Sequence, residues 1–186
     1  MKLASIALAV SALSMSSAAL AVDYSYTGTT VGGPTFNRPV SLASLSAVGT
    51  AVAYSTLTFS VTADGSYSFL SASTTPLYDN FTALYLGSFV PASGLVNLIA
   101  LNDDLGNTST SGFTTALATG STYVFVTTGF DNLDVGSFSN TISGPGSVIT
   151  SAVPEPETYA LMAFGLAGIG LLARRRSAGT SAGSGA

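Results

Sequence analysis

Three aspartates, Asp79, Asp103 and Asp104, carry the metal-binding chemistry of the central part of the chain. Carboxylate oxygens, with amide oxygens of neighbouring Asn residues, are ligands that Ca²⁺ takes in protein loops. The spacing does not match an EF-hand loop, since the Gly at the sixth position and the Glu at the twelfth are missing. Two interpretations remain: calcium ligands, or turn residues that bond their own backbone. The run Asp131-Asn132-Leu133-Asp134 is a second candidate with the same two interpretations.

Residues 22–152 lack the side chains that most catalytic sites need, since they contain no Glu, Lys, His or Cys. This excludes a Ser-His-Asp triad, a Cys-His pair and a zinc site built from His or Cys. Two aspartates would suffice for a glycosidase, but no motif marks such a pair. We therefore expect no enzymatic activity, no catalytic residues and no cofactor other than calcium.

The charge of residues 22–152 is strongly acidic. One arginine, Arg38, stands against seven aspartates, and one minus seven gives a net charge of −6. A region without a basic patch has nothing with which to hold phosphates, so nucleic acid is excluded as a partner. Because the chain has no Cys, disulfides cannot stabilise an exported fold, which must rest on its hydrophobic core.

The hydrophobic pattern of residues 22–152 is that of β-strands. Apolar residues alternate with Thr and Ser over 57–61, and the Asp64-Gly65 turn that follows predicts a hairpin. Further apolar, aromatic runs predict strands at 81–86, 95–101, 123–127 and 138–142. No fixed-period repeat indicates a solenoid. The pattern predicts an all-β antiparallel sandwich or jelly roll.

The N-terminus has the features of a secretory signal peptide. Lys2 precedes the apolar, small residues 3–20, and Ala19-Leu20-Ala21 forms a cleavage site for signal peptidase. Residues 1–21 are therefore predicted to be removed on export, which leaves 22–152 as the exported domain. The alternative is an uncleaved N-terminal anchor.

The C-terminus has a three-part organisation. Val153-Pro154-Glu155-Pro156 is followed by the uncharged residues 158–173 and by Arg174-Arg175-Arg176. Sixteen helical residues span about 24 Å, somewhat less than the hydrocarbon core of a bilayer. The pattern predicts a single, at least transient, membrane helix with the arginines as a cytoplasmic stop. A permanent anchor without processing is the alternative, and residues 177–186 form a short polar tail.

This order of motif, helix and basic stop over residues 153–176 resembles the PEP-CTERM sorting signal of Gram-negative bacteria. The resemblance implies a precursor held in the inner membrane, processing by the membrane protease exosortase, and delivery to the cell surface or an exopolysaccharide matrix. The same signal is also catalogued as a C-terminal domain of ice-binding proteins. Thr residues are plentiful in this chain but not periodic, as an ice-binding face would require. This indicates that the label names the C-terminal signal and not an ice-binding activity.

The central region is similar to bacterial pre-peptidase C-terminal domains and, more loosely, to CUB domains. Tyr78-Asp79 precedes one predicted strand, the Asn102-Asp103-Asp104 loop follows another, and Gly120 precedes the Tyr123 strand. The resemblance covers roughly residues 57–143 and implies a jelly roll with an acidic loop that holds calcium. The disulfides and the calcium-binding Glu of CUB domains have no counterpart.

Three functions remain open from the sequence. The first is a structural or adhesive protein of the envelope or biofilm matrix. The second is a calcium- or carbohydrate-binding module of the same matrix, and the third is an ice-binding protein.

Overall fold

The structure is a computed structural model that describes residues 21–150, whose regular secondary structure is almost entirely β-strand. The strands are β1 (Val22–Thr29), β2 (Thr35–Phe36), β3 (Pro39–Ser41), β4 (Ser44–Leu45), β5 (Val52–Val61), β6 (Gly65–Ser73), β7 (Asn80–Leu86), β8 (Leu98–Asn102), β9 (Thr110–Leu117), β10 (Tyr123–Gly129), β11 (Ser137–Gly144) and β12 (Val148–Thr150). A 3-10 turn at Pro91–Ser93 precedes β8. The predicted signal peptide up to residue 20, the sorting motif, the membrane helix and the tail lie outside the described residues.

Two antiparallel sheets form the predicted sandwich. One has the order β1-β11-β6-β9, and the other has the order β12-β5-β10-β7-β8, with β2 also paired to β5. Every strand pair is antiparallel, and β3 and β4 form a separate small hairpin. The all-β antiparallel prediction is confirmed. Within residues 21–150, no helix has the length and hydropathy that crossing a membrane requires.

The prediction of a hairpin at Asp64-Gly65 is wrong. The turn exists, but β5 pairs with β10 whereas β6 pairs with β11 and β9, so the chain passes from one sheet to the other here. The Asp64 carboxylate accepts a hydrogen bond of 2.6 Å from the Thr119 backbone N–H, which ties the turn to a different loop. The crossing places the apolar faces of the two strands opposite each other across the core instead of side by side.

Other strand boundaries differ from the sequence pattern in ways the backbone explains. The predicted strand 95–101 begins at Leu98, because Asn97 has a positive φ of 65° that interrupts extended structure. The apolar pattern alone does not predict the Ser- and Thr-rich strands β1 and β9. Gly144-Pro145-Gly146 follows β11 as a loop, and β12 after it pairs with β5 in the other sheet.

The main core lies between the two sheets and contains Phe59, Val61, Tyr67, Phe69, Leu84, Leu117, Tyr123, Phe125 and Ile142. A second apolar cluster covers the outer face of the larger sheet and contains Phe36, Val52, Phe81, Ala83, Tyr85, Val124 and Val126. Strands β7 and β10 therefore bury side chains on both faces. This explains why their sequences are continuous apolar runs without polar alternation.

Candidate metal site

The structure brings Asp79, Asp103 and Asp104 together at one end of the larger sheet. Asp79 immediately precedes β7, and the other two follow β8. Because β7 and β8 are antiparallel, with Thr82 opposite Asn102, the start of one strand lies beside the end of the other. One carboxylate oxygen from each aspartate lies within 4.8 Å of the others. We call these three residues the aspartate cluster.

The neighbouring asparagines do not join the aspartate cluster. Asn80 is completely buried, and its side-chain amide donates a hydrogen bond of 2.8 Å to the Ser71 hydroxyl of the opposite sheet. The side-chain oxygen of Asn102 accepts a hydrogen bond from the Gly112 backbone N–H at 3.3 Å. The contact of Asn102 serves the packing of the sandwich and gives no support to its predicted contribution to a metal site. The Asn80 amide nitrogen also serves packing, while its Oδ1 is buried and accepts no hydrogen bond within residues 21–150.

Two carboxylate oxygens of the aspartate cluster are buried without a hydrogen-bond partner. They are Oδ1 of Asp79 and Oδ1 of Asp103, each unpaired within the described part of the chain. Turn aspartates normally accept bonds from nearby backbone N–H groups. These two oxygens accept none, so the interpretation as ordinary turn residues does not describe them. A buried, unpaired carboxylate oxygen is costly unless a cation or donor satisfies it.

The second candidate, Asp131 to Asp134, behaves differently. The Asp131 carboxylate accepts bonds from the backbone N–H groups of Leu133, at 2.7 Å, and Asp134, at 3.2 Å. The Asp134 carboxylate accepts a hydrogen bond of 2.9 Å from the Asp131 backbone N–H. Asn132 bonds to Thr50 and Ala51 of another loop. These contacts are those of turn residues, and the calcium interpretation of this segment has no support in them.

Arg38, the single cation of residues 21–150, is buried near the aspartate cluster. Its side chain is 1% exposed. Its Nε donates a hydrogen bond of 2.7 Å to the Phe130 carbonyl, and its Nη1 donates one of 3.1 Å to the Pro39 carbonyl. The guanidinium carbon lies 4.4 Å from the centre of the Phe81 ring and 4.6 Å from that of Phe130. The two rings and two carbonyls hold the charge in one place.

Gly49 leaves the space that the buried arginine needs. A Cβ atom at this position would lie 2.7 Å from Arg38 Nε and 2.9 Å from the Phe130 carbonyl oxygen. The Arg38 backbone N–H also donates 3.0 Å to the Gly49 carbonyl. The loop can close over the guanidinium because this residue has no side chain.

Burial and mutual repulsion make the carboxylates of this region reluctant to ionise. Burial, followed by the charges of Asp103, Asp134 and Asp104, raises the pKa of Asp79 from 3.8 to about 6, although Arg38 opposes the shift. Burial is also the largest cause that raises the pKa of Asp103 and of Asp134.

The pKa of Arg38 is lowered by burial, and the neighbouring carboxylates, foremost that of Asp103, oppose that shift. Three clustered carboxylates and Asp134 thus outnumber one guanidinium. The region has a surplus of negative charge that a divalent cation would neutralise.

Sequence reasoning found the aspartates of this site but missed Arg38. The available signal was its isolation: Arg38 is the single basic residue among residues 21–150, and one charge in so long a stretch does little for solubility. What the sequence could not show is that Phe81 and Phe130 flank it, since these residues are more than 40 positions away in the chain.

The C-terminal part of the sequence matches a known family model. No curated protein matches the chain. A family model, the PEP-CTERM protein-sorting motif, matches residues 152–176. The match contains the Pro154-Glu155-Pro156 element and the three C-terminal arginines. The chain therefore carries a PEP-CTERM protein-sorting motif, which implies an exported, membrane-transited protein that exosortase sorts.

Proposed function

We propose that the chain is a structural or adhesive component of the cell surface or the exopolysaccharide matrix of a Gram-negative bacterium. The observation that carries the proposal is the sorting motif at residues 152–176. The sandwich supports it in a second way. Residues 22–152 have none of the Glu, Lys, His or Cys side chains on which most catalytic sites depend, and their fold rests on two apolar clusters without disulfides.

Replacement of Pro154 and Pro156 by Ala, or of Glu155 by Ala, is expected to leave the precursor in the inner membrane. The prolines favour an extended backbone that a protease can bind, and alanine removes this preference. Fractionation of the native host and mass spectrometry of both protein termini measure the effect. The wild type should end within or close to the motif and begin at Val22.

Glu157→Ala is the matched control for the sorting experiment, because it removes the same charge just outside the Pro-Glu-Pro element. It is expected to be processed like the wild type. Cleavage and release of the motif variants at the normal rate would show that the motif does not direct sorting in this chain.

A second candidate function is calcium binding at the aspartate cluster. Two observations favour it: the three carboxylate oxygens within 4.8 Å of one another, and the buried Oδ1 atoms of Asp79 and Asp103 that accept no hydrogen bond within residues 21–150. Ca²⁺ takes six to eight oxygens, so backbone carbonyls and water would complete the shell. The ion would stabilise the start of β7 and the end of β8 against each other.

Calcium is expected to raise the melting temperature of the full chain in mild detergent. An ion in hundredfold excess over its Kd adds about 2.7 kcal/mol to the free energy of unfolding, which corresponds to roughly 5–10 °C. The measurement compares melting with millimolar CaCl₂ and with EGTA. Asp103→Asn should abolish the calcium response. Asp23→Asn, on the exposed part of β1, should retain it. Identical curves with and without calcium would rule out this function.

The outer face of the smaller sheet bears on the ice-binding alternative. Small hydroxyl residues lie opposite each other on β1 and β11, as in the pairs Ser25–Thr141 and Thr27–Ser139. On β6 and β9, Leu70 and Gly112 interrupt the pattern. One rank, Ser143–Ser68–Thr114, spans three strands, but the neighbouring rank ends at Leu70, so the hydroxyl pattern is not regular and ice binding is not part of the proposal.

A further inference from the structure

A groove of about 320 Å³ lies on the outer face of the larger sheet. It is lined by Tyr54, Thr56 and Thr58 of β5, Val124 of β10, and Gly87, Ser88, Phe89 and Pro91 of the segment between β7 and β8. We propose that this groove, which we call the Tyr54 groove, binds a neutral polysaccharide. This inference rests on the proposed function, because a protein of the exopolysaccharide matrix is surrounded by such polymers.

The aromatic side of the Tyr54 groove is rigidly held. The Tyr54 ring packs edge-to-face against Phe36, with centroids 5.3 Å apart, and against Phe89, with centroids 5.0 Å apart. Phe89 in turn lies 4.8 Å from Tyr85, whose hydroxyl donates 2.9 Å to the Gly94 carbonyl. Phe36 and Phe89 therefore fix the Tyr54 ring directly, and Tyr85 supports Phe89 from behind. Tyr54 remains half-buried and borders the groove.

The segment that carries Phe89 is also preorganised. Gly87 adopts a φ of 78°, which favours glycine, and its N–H donates 2.7 Å to the Thr122 carbonyl. The Asn97 side-chain amide donates 3.0 Å to the Ser88 carbonyl. Both contacts fix the turn that carries Phe89 and Pro91. A preformed site avoids the entropic cost of ordering its loops when a ligand binds.

The chemistry of the lining matches that of a sugar ring. A pyranose has an apolar face of C–H groups and a rim of hydroxyls. The Tyr54 and Phe89 rings, Pro91 and Val124 offer apolar surface, and the exposed hydroxyls of Thr56, Thr58 and Ser88 offer donors and acceptors. The Tyr54 hydroxyl forms no hydrogen bond with any of residues 21–150, so it is available to a ligand.

Charge selects a neutral polymer over an anionic one. No charged residue lines the Tyr54 groove. The charged side chains of residues 22–152 are one buried arginine and seven aspartates, so no cation is available to pair with a uronate or sulfate, and the net charge of −6 repels such polymers. A neutral sugar chain meets neither penalty.

Native affinity electrophoresis of the full chain in mild detergent tests the inference. The probes are three soluble neutral polysaccharides, laminarin, xyloglucan and dextran, and one anionic polymer, alginate. We expect at least one neutral polymer to retard the protein and alginate to have no effect. Retardation by none of the neutral probes, or by alginate alone, would overturn the proposal.

Variants then locate the binding surface. Thr58→Val preserves the shape of the side chain but removes its hydroxyl, and Tyr54→Leu removes the aromatic ring. Each variant is expected to bind the neutral polysaccharide at least tenfold more weakly than the wild type. Thr114→Val is the matched control, because Thr114 is exposed on the other sheet, away from the Tyr54 groove. Melting curves establish that every variant is folded. If Thr58→Val and Tyr54→Leu bind like the wild type, the groove is not the site. The release assay for sorting is unaffected by either result.

Discussion

Arg38→Ala is expected to lower the free energy of unfolding by about 2–5 kcal/mol at pH 7, the range found when a large, fully buried side chain is truncated to alanine. The substitution leaves Asp79, Asp103 and Asp134 without their nearby cation. It also deprives the Phe130 carbonyl of its 2.7 Å donor and opens a gap beside two phenylalanine rings. Equilibrium unfolding in urea measures the change.

Two further variants separate charge from packing in the Arg38 experiment. Arg38→Met keeps most of the apolar stem but removes the charge, and Arg38→Lys keeps the charge but cannot reproduce the planar donor geometry. If charge dominates, Arg38→Met should resemble Arg38→Ala, and both should recover part of the loss at pH 5, below the raised pKa of about 6 of the Asp79 carboxyl. A loss below about 1 kcal/mol for Arg38→Ala would show that the guanidinium is dispensable.

Lowering the pH from 7 to about 4.5 is expected to stabilise the calcium-free protein, the reverse of ordinary acid denaturation. The pKa of Asp79 is raised from 3.8 to about 6, mainly by burial. Above pH 6 the folded state carries a disfavoured carboxylate, and this penalty disappears as the pH falls towards 3.8. About two pH units correspond to roughly 3 kcal/mol, which partial exposure of Asp79 reduces to about 1–2 kcal/mol.

The pKa values of Asp103 and Asp134 are raised as well, so they act in the same direction. At lower pH the trend should reverse, because hydrogen bonds from Thr119 lower the pKa of Asp64, and its stabilising contribution is lost last. Melting temperatures between pH 3 and 8 in EGTA measure the profile. Asp79→Asn should flatten it and stabilise the protein at pH 7. A stability that falls steadily from pH 7 to 4 in the wild type would contradict the expectation.

The local features of the fold were predictable, but the assignment of strands to sheets was not. Alternation at 57–61 and apolar runs at 81–86 and 123–127 correctly indicated strands, because side-chain periodicity is a local property. The Asp64-Gly65 turn has the composition of a hairpin. Whether the chain folds back within one sheet or crosses to another depends on distant contacts, here that of Asp64 with Thr119.

The candidate metal site was predictable in part for the same reason. The residue type alone indicated the aspartates as candidate ligands, and the antiparallel pairing of β7 and β8 brings them together. The same composition also nominated Asn80 and Asn102, which face other partners. The distinction between a turn aspartate and an unsatisfied one depends on which backbone N–H groups are within reach, and only the folded geometry supplies this information.

The burial of Arg38 has a consequence for how this protein meets extracellular proteases. An enzyme of trypsin specificity needs an accessible basic side chain to fill its primary pocket. Within residues 21–150 the single basic side chain is 1% exposed, and the next residue, Pro39, cannot adopt the backbone geometry that cleavage requires. The exported sandwich therefore offers such an enzyme no bond to cut, whether folded or transiently open. For a chain without disulfides, this provides durability outside the cell that does not depend on a covalent cross-link.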